Sequence, residues 1–235
     1  MRNISGSHKW IAREGWPFIL LFAAATLLAG YFFGVWWALP FLLLTVFSIN
    51  FFRDPQRPVS NDPRAVVCPA DGRVIRVEET EDPYLGRPAL KISIFMNVFD
   101  VHVNRMPVTG KVHEQWYYSG KFFNAAFDKA SLENERNALW VRTDDGRDVT
   151  VVQVAGLVAR RILCYVRAGD PVKAGDRFGF IRFGSRVDTY LPLGTRVSVT
   201  VGDRVRSRMD VIAYFDDVDA ALAPADTAGA MRPAL

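Results

Sequence analysis

The reactive chemistry of this chain is concentrated in a few short stretches. Phe183-Gly184-Ser185-Arg186 sets a hydroxyl beside a glycine carbonyl. Gly-Ser pairs usually mark ordinary turns. In a strained turn, however, glycine lets the backbone bend so that the Ser185 hydroxyl can attack the Gly184 carbonyl. A base must then take the hydroxyl proton. The chain has three histidines. His8 precedes a long apolar stretch, and His113 lies in an alternating run where a solvated or core-satisfied imidazole is the ordinary reading. His102 is more informative. Strand alternation in Asp100-Val101-His102-Val103-Asn104 places Asp100, His102 and Asn104 on one face. Cys68-Pro69-Ala70-Asp71-Gly72 reads as a turn before a strand, with Asp71 in an Asx-type role. Cys68 and Cys164 have no metal-ligand spacing, and one possible pair makes no disulfide framework. Two free thiols fit a reducing cytoplasm.

Two kinds of element must position these residues. From Gly15 to Phe52 no side chain is charged. One helix over that stretch would be about 57 Å long, against a hydrocarbon core of about 30 Å. Gly30, Gly34 and Pro40 interrupt it, which predicts a helical hairpin of two segments, Pro17–Phe33 and Val35–Phe52. Each would reach about 25 Å, just enough to cross a bilayer. Shallow, monotopic insertion is the alternative. The run is too long for a signal peptide and lacks a small-residue cleavage site. Trp10, Trp16, Trp36 and Trp37 fall at or near segment ends, where indoles favour the interface. Arg2, Lys9 and Arg13 precede the stretch, and Arg53, Arg57 and Arg64 follow it. A hairpin puts both basic flanks on one side, which the positive-inside tendency makes cytoplasmic. The organisation is therefore a basic segment (1–14), a membrane anchor (15–52), a folded domain (53–215) and a fraying tail (216–235) rich in Ala, Asp and Pro.

In the folded domain short alternating runs predict strands at Arg73–Glu78, Leu90–Phe95, Val98–Val103, Lys111–Tyr117, Ala138–Arg142, Val149–Val154, Ile162–Val166, Arg177–Ile181, Arg196–Val201 and Val211–Phe215. The polar stretch Asn124–Asn137 reads as a short helix or ordered loop. No βαβ alternation appears, so the class is mainly β. Gly169-Asp170 and Gly175-Asp176, echoed by Gly202-Asp203, set Gly-Asp turns between short strands. That pattern resembles lipoyl- and biotinyl-carrier domains and implies a barrel-sandwich-like fold. Where such carriers present a lysine, this chain offers Gly184-Ser185.

Taken together, six segments in order resemble the short, bacterial and archaeal type of phosphatidylserine decarboxylase proenzyme. They are Phe51-Phe52-Arg53-Asp54-Pro55, Pro69-Ala70-Asp71-Gly72, Asn97-Val98-Phe99-Asp100-Val101-His102-Val103-Asn104-Arg105, residues 128–137, residues 155–162, and Phe183-Gly184-Ser185-Arg186. The resemblance implies self-cleavage between Gly184 and Ser185, giving a β chain (1–184) and an α chain (185–235) that stay associated as a heterodimer, with assembly into a higher oligomer left open. Ser185 would become a covalent pyruvoyl group that forms a Schiff base with the phosphatidylserine amine. No metal or other cofactor is implied. Asp71 would orient His102, and His102 would act as base in cleavage and as acid in decarboxylation. Longer relatives carry a second histidine three residues on, where this chain has Arg105. Arg105, Arg182 and Arg186 lie near the proposed site in sequence.

The net charge of +4 suits anionic lipid headgroups. No dense Lys/Arg run points to nucleic acid. Two rival readings remain at this level. One is a membrane-tethered, carrier-like β module without catalysis. The other is a metallopeptidase, which would need a His/Asp/Glu zinc set from a domain holding only His102 and His113.

Overall fold

Uncharged sequence and a single break shape the N-terminal part. The computed structural model describes residues 10–120, 133–156, 162–182 and 184–216. The segment before Trp10, most of Asn124–Asn137 and the tail beyond Asp216 lie outside the described residues. Helix α1 (Trp16–Phe33) carries Pro17 in its first turn, where a missing N–H costs nothing. The chain turns at Gly34 and returns as α2 (Val35–Phe51). The two helices are antiparallel, with the Thr26 and Thr45 hydroxyls 3.5 Å apart and Gly30 facing Ala38. Each hydroxyl also donates 2.8 Å to a carbonyl one turn back, Phe22 O and Phe41 O. Outward side chains such as Leu20, Leu27, Phe33, Trp36 and Leu43 are exposed. The helix Arg13–Phe33, at 21 residues, is long and apolar enough to cross a membrane, and Val35–Phe51 is a shorter apolar helix.

The rest is mainly β, as the alternation predicts. In chain order the strands are β1 (Trp10–Ile11), β2 (Arg53–Asp54), β3 (Ala65–Val67), β4 (Gly72–Asp82), β5 (Arg87–Met96), β6 (Val103–Arg105), β7 (Gly110–Tyr118), β8 (Arg136–Thr143), β9 (Asp148–Ala155), β10 (Ile162–Cys164), β11 (Pro171–Val172), β12 (Arg177–Ile181), β13 (Ser185–Leu191), β14 (Arg196–Val197), β15 (Arg204–Val205) and β16 (Val211–Tyr214). The main sheet is antiparallel throughout, in the order β11-β7-β8-β9-β13-β5-β4-β15. Two small sheets, β10-β12-β6 and β14-β16-β3, accompany it, and β1 pairs with β2. The main core gathers Ile92, Ile94, Leu139, Val151, Phe178 and Val187. Strand β13 is central and buried along its whole length.

Ile162–Val166 ends at Cys164, and two other expected strands depart further from the pattern. Val98–Val103 is not a strand, because pairing begins only at Val103. Asn97–Asp100 forms a turn instead. The Asn97 N–H donates to Asp100 Oδ2 at 2.9 Å, the Asp100 N–H to Asn97 O at 3.0 Å, and the Phe99 N–H to Asn97 Oδ1 at 2.8 Å. Side-chain competition for the backbone outweighs β propensity here. Arg196–Val201 likewise stops at Val197, because Thr200 and Asp203 form the same turn with a 2.8 Å bond from Thr200 N–H to Asp203 Oδ2.

The hairpin is not a loose tether. Strands β1 and β2 close its two ends, Trp10 opposite Asp54. The Phe52 ring lies between Phe18 (5.5 Å) and Phe180 (5.6 Å), both nearly parallel to it. Glu14 accepts 2.6 Å bonds from Tyr165 Oη and Arg177 Nη2. Asp54 pairs with buried Arg105. Phe52 is 2% exposed, so Phe52→Ala should destabilise the protein by about 3–5 kcal/mol in chemical denaturation. A loss below about 1 kcal/mol would show that this junction is not packed as described.

Candidate active site

Ser185 opens the central strand β13. Its partners are Met96 on β5 and Ala155 on β9. It is fully buried, and among the described residues its Oγ has no hydrogen-bond partner. Gly184 precedes it at φ 63° with open space where a Cβ would stand, so backbone conformation rather than crowding calls for glycine. Phe183 lies outside the described residues.

His102 follows the Asn97–Asp100 turn and is also fully buried. Its Nδ1 lies 3.0 Å from the Asp100 carbonyl oxygen. A carbonyl only accepts, so Nδ1 carries the proton and Nε2 keeps its lone pair. Nε2 is buried and has no partner among the described residues. The imidazole packs on the ring of Phe51, the last residue of α2, at 4.2 Å between centroids, with Phe180 at 6.4 Å. Burial against these rings pushes the imidazole down to about 4. The Asp100 carbonyl opposes that shift, the Arg53 charge adds to it, and the Asp71 charge opposes it.

The His102 backbone ties this segment to the cleavage strand. Its carbonyl accepts from Ile181 N–H at 3.4 Å, and Ile181 stands three residues before Gly184. Two residues beyond His102, Asn104 Nδ2 reaches Met96 Sδ at 3.7 Å, and Met96 is the register partner of Ser185. Asn104 Oδ1 in turn accepts from Gln153 (2.8 Å), whose Oε1 accepts from Asn137 (3.1 Å). This buried polar chain fixes the strand after His102 against β9 and β8.

Asp71 does not meet the expectation that it orients His102 by a hydrogen bond. Both its oxygens are engaged by Arg57, at 2.5 and 2.8 Å, and Oδ1 also accepts the Ser207 N–H at 2.8 Å. Its influence on His102 is therefore charge acting through space. The turn itself is enforced by Gly72, where a Cβ would stand 2.0 Å from Phe95 O. Arg105 is a structural partner of Asp54. Arg186 is buried in a paired fork with Asp188, at 2.7 and 2.8 Å. Cys68 donates its S–H to Ala70 O at 3.0 Å, and burial pushes both thiols up, so neither is an activated nucleophile. His113 is on β7, three strands from β13, beside Trp140. Among the described residues, no group of three or more His, Cys, Asp or Glu is placed to hold a metal.

Three residues of the site escaped the sequence reading. Phe51 was visible as the end of an apolar run and the start of one matching segment but with no role, Phe180 as an interior strand position, and Arg57 as one of several flanking charges.

The chain thus holds a buried hydroxyl, a glycine in a left-handed turn and a dry imidazole on segments tied by the Ile181–His102 backbone bond. That is the equipment of an acyl shift within the chain's own backbone. The model of the phosphatidylserine decarboxylase family matches residues 44–213. A protein of Burkholderia ambifaria named phosphatidylserine decarboxylase proenzyme is 60% identical over 209 residues, covering 89% of this chain and 98% of its own. Proteins of the same name from Nitrosomonas europaea (208 residues; 88% and 96%) and Aromatoleum aromaticum (206 residues; 88% and 96%) are each 58% identical. The chain belongs to the phosphatidylserine decarboxylase family.

The depressed His102 value links stability to pH. The folded value, about 4, lies below the ordinary 6.5. The stabilisation from burying a neutral imidazole is therefore complete above about 6.5 and is lost as pH falls through about 4. In an uncut Ser185→Ala background, the unfolding free energy should fall over that window by about 3 kcal/mol more with His102 than with His102→Gln. Parallel curves for the two proteins would contradict the burial of a neutral imidazole.

Proposed function

We propose that this chain is a self-processing decarboxylase that converts phosphatidylserine to phosphatidylethanolamine and CO2. The observation that carries the reading is the pair of buried, unpartnered atoms, Ser185 Oγ and His102 Nε2, on segments joined by the Ile181–His102 backbone bond. Unpartnered polar atoms in a core are costly and mark places where structure yields to chemistry. The family membership supplies the reaction class.

In this reading His102 Nε2 takes the Ser185 hydroxyl proton, and Oγ attacks the Gly184 carbonyl. The Gly184–Ser185 peptide bond breaks, the nitrogen takes up a proton, and an ester to Oγ forms. Removal of the Ser185 Cα proton then expels the Gly184 carboxylate and leaves dehydroalanine. Water converts this to ammonia and an N-terminal pyruvoyl group. That group supplies an electron sink for decarboxylation next to an amine. Ser185 suits this role: it is held by pairing on both sides, and dry surroundings of Phe51 and Phe180 adjoin the proposed base. Asp71, held by Arg57, contributes negative charge that favours an imidazolium as it forms. His102 is the proposed proton donor to the substrate carbon after CO2 leaves.

Cleavage would not release the α chain. Its strands β13, β15 and β16 pair with β5, β9, β4 and β3 of the other chain. The exposed apolar hairpin fits a bilayer. Trp10 and Trp16 stand near one end and Trp36 and Trp37 at the other, separated by a helix of about 27 Å, close to the hydrocarbon thickness. Arg13, Arg53 and Arg57 at the foot of the hairpin support a cytoplasmic catalytic domain in this reading. No observation favours a non-catalytic carrier module.

Intact mass should show wild-type protein as two chains, Met1–Gly184 and a pyruvoyl-capped remainder, with Ser185→Ala whole. Recovery of wild type as one uncut chain would sink the proposal. His102→Ala should slow the cut by about 100-fold or more, followed by gel shift over time. Cleavage at the wild-type rate in His102→Ala would remove His102 from the role of base.

A further inference from the structure

The arginines around the site differ in what they touch. Arg57 is paired with Asp71, Arg105 with Asp54, Arg177 with Glu14, and Arg186 with Asp188. Arg53 donates to Asn50 O, Asn50 Oδ1 and Phe99 O. Arg182 stands apart. Among the described residues it has neither an ion pair nor a hydrogen-bond acceptor, and its Nε is buried without a partner. Its guanidinium lies over the Phe18 ring at 5.5 Å from the centroid. Phe18 belongs to the first turns of α1, at the foot of the hairpin, and Arg182 is two residues before Gly184. A ring beneath a guanidinium occupies its face and leaves the N–H groups at the edge free.

We propose that Arg182 is the phosphate-recognition residue for the lipid headgroup, binding the phosphodiester while the serine part reaches residue 185. This rests on phosphatidylserine being the substrate. The headgroup has two anionic groups, and their chemistry separates them. The carboxylate leaves as CO2, so a cation paired to it would stabilise the ground state and oppose the reaction. The phosphodiester keeps its charge from substrate to product, so a cation there binds both states alike. Such uniform binding appears in KM and not in kcat. A planar fork suits phosphate oxygens. The foot of the hairpin is where a lipid phosphate would meet the domain.

The test uses full-length protein in detergent and water-soluble dihexanoyl lipids. Turnover is counted per cut chain, so that changes in maturation are kept separate. Arg182→Gln should raise KM for dihexanoyl-phosphatidylserine about 10- to 100-fold with kcat changed less than threefold, and Arg182→Lys should give a smaller rise. Binding is read independently of turnover in the uncut Ser185→Ala protein. There Arg182→Gln should weaken dihexanoyl-phosphatidylserine by the same factor, and a neutral analogue with a carbonate in place of the phosphodiester by less than twofold. Unchanged phosphatidylserine affinity, or equal losses for both ligands, overturns the proposal. Dihexanoyl-phosphatidylglycerol carries the same phosphodiester and should be weakened by a similar factor; unchanged affinity for it also overturns the proposal. Failure of both Arg182 variants to cut themselves overturns it too, placing the residue in maturation. Wild-type protein that binds the lipid but does not decarboxylate it would instead defeat the proposed function and leave the binding result standing.

Discussion

The contact between Phe51 and His102 is the constraint on which the site depends. A histidine in water holds a proton about half the time near pH 6.5. Packed 4.2 Å from a phenylalanine ring and shut away from solvent, this one is held neutral, its Nδ1 proton fixed on Asp100 and its Nε2 lone pair open. A neutral, oriented imidazole is what a base for Ser185 requires. The low value also limits its strength, so the proposed reaction depends on proximity rather than on basicity alone.

Phe51 closes the apolar helix α2, and the same cluster of Phe51, Phe52, Val101, Val103 and Phe180 joins that helix to the domain. The β1–β2 pairing, the Glu14–Arg177–Tyr165 contact and the Asp54–Arg105 pair all brace the same junction. The hairpin is thus a wall of the proposed site as well as the proposed anchor. For a diacyl substrate that scarcely leaves the bilayer, this removes the need for a separate delivery step. It also makes the state of the site depend on the seating of the helices.

Much of this was legible in the sequence, for identifiable reasons. The helices emerge from an uncharged run broken at Gly34, with observed ends within a residue of those expected. The long strands follow period-two alternation. Val98–Val103 misled because its β-branched residues outweighed a subtler signal, an aspartate three residues after the start of a turn. The same bond, from a backbone N–H to Asp Oδ2 three residues on, recurs at Arg167–Asp170, Lys173–Asp176 and Thr200–Asp203. Read as a repeat, it would have located the Asn97–Asp100 turn. Asp71 was found, but its partner was not. Arg57 lies 14 residues away, and Ser207, whose backbone N–H completes the clamp, lies 136 away. No local spacing encodes either contact. Phe51 was hidden for a different reason: composition assigns it to lipid, and only tertiary packing turns it toward His102.

The most direct measurement is the pH dependence of self-cleavage in freshly synthesised wild-type precursor, followed by the appearance of the two chains. A base held neutral by burial predicts a rate that is flat from pH 8 to about 5 and falls through a midpoint near 4. A midpoint at the ordinary 6.5, or a rate that rises into acid, would contradict a dry, neutral His102 as the base that starts the reaction.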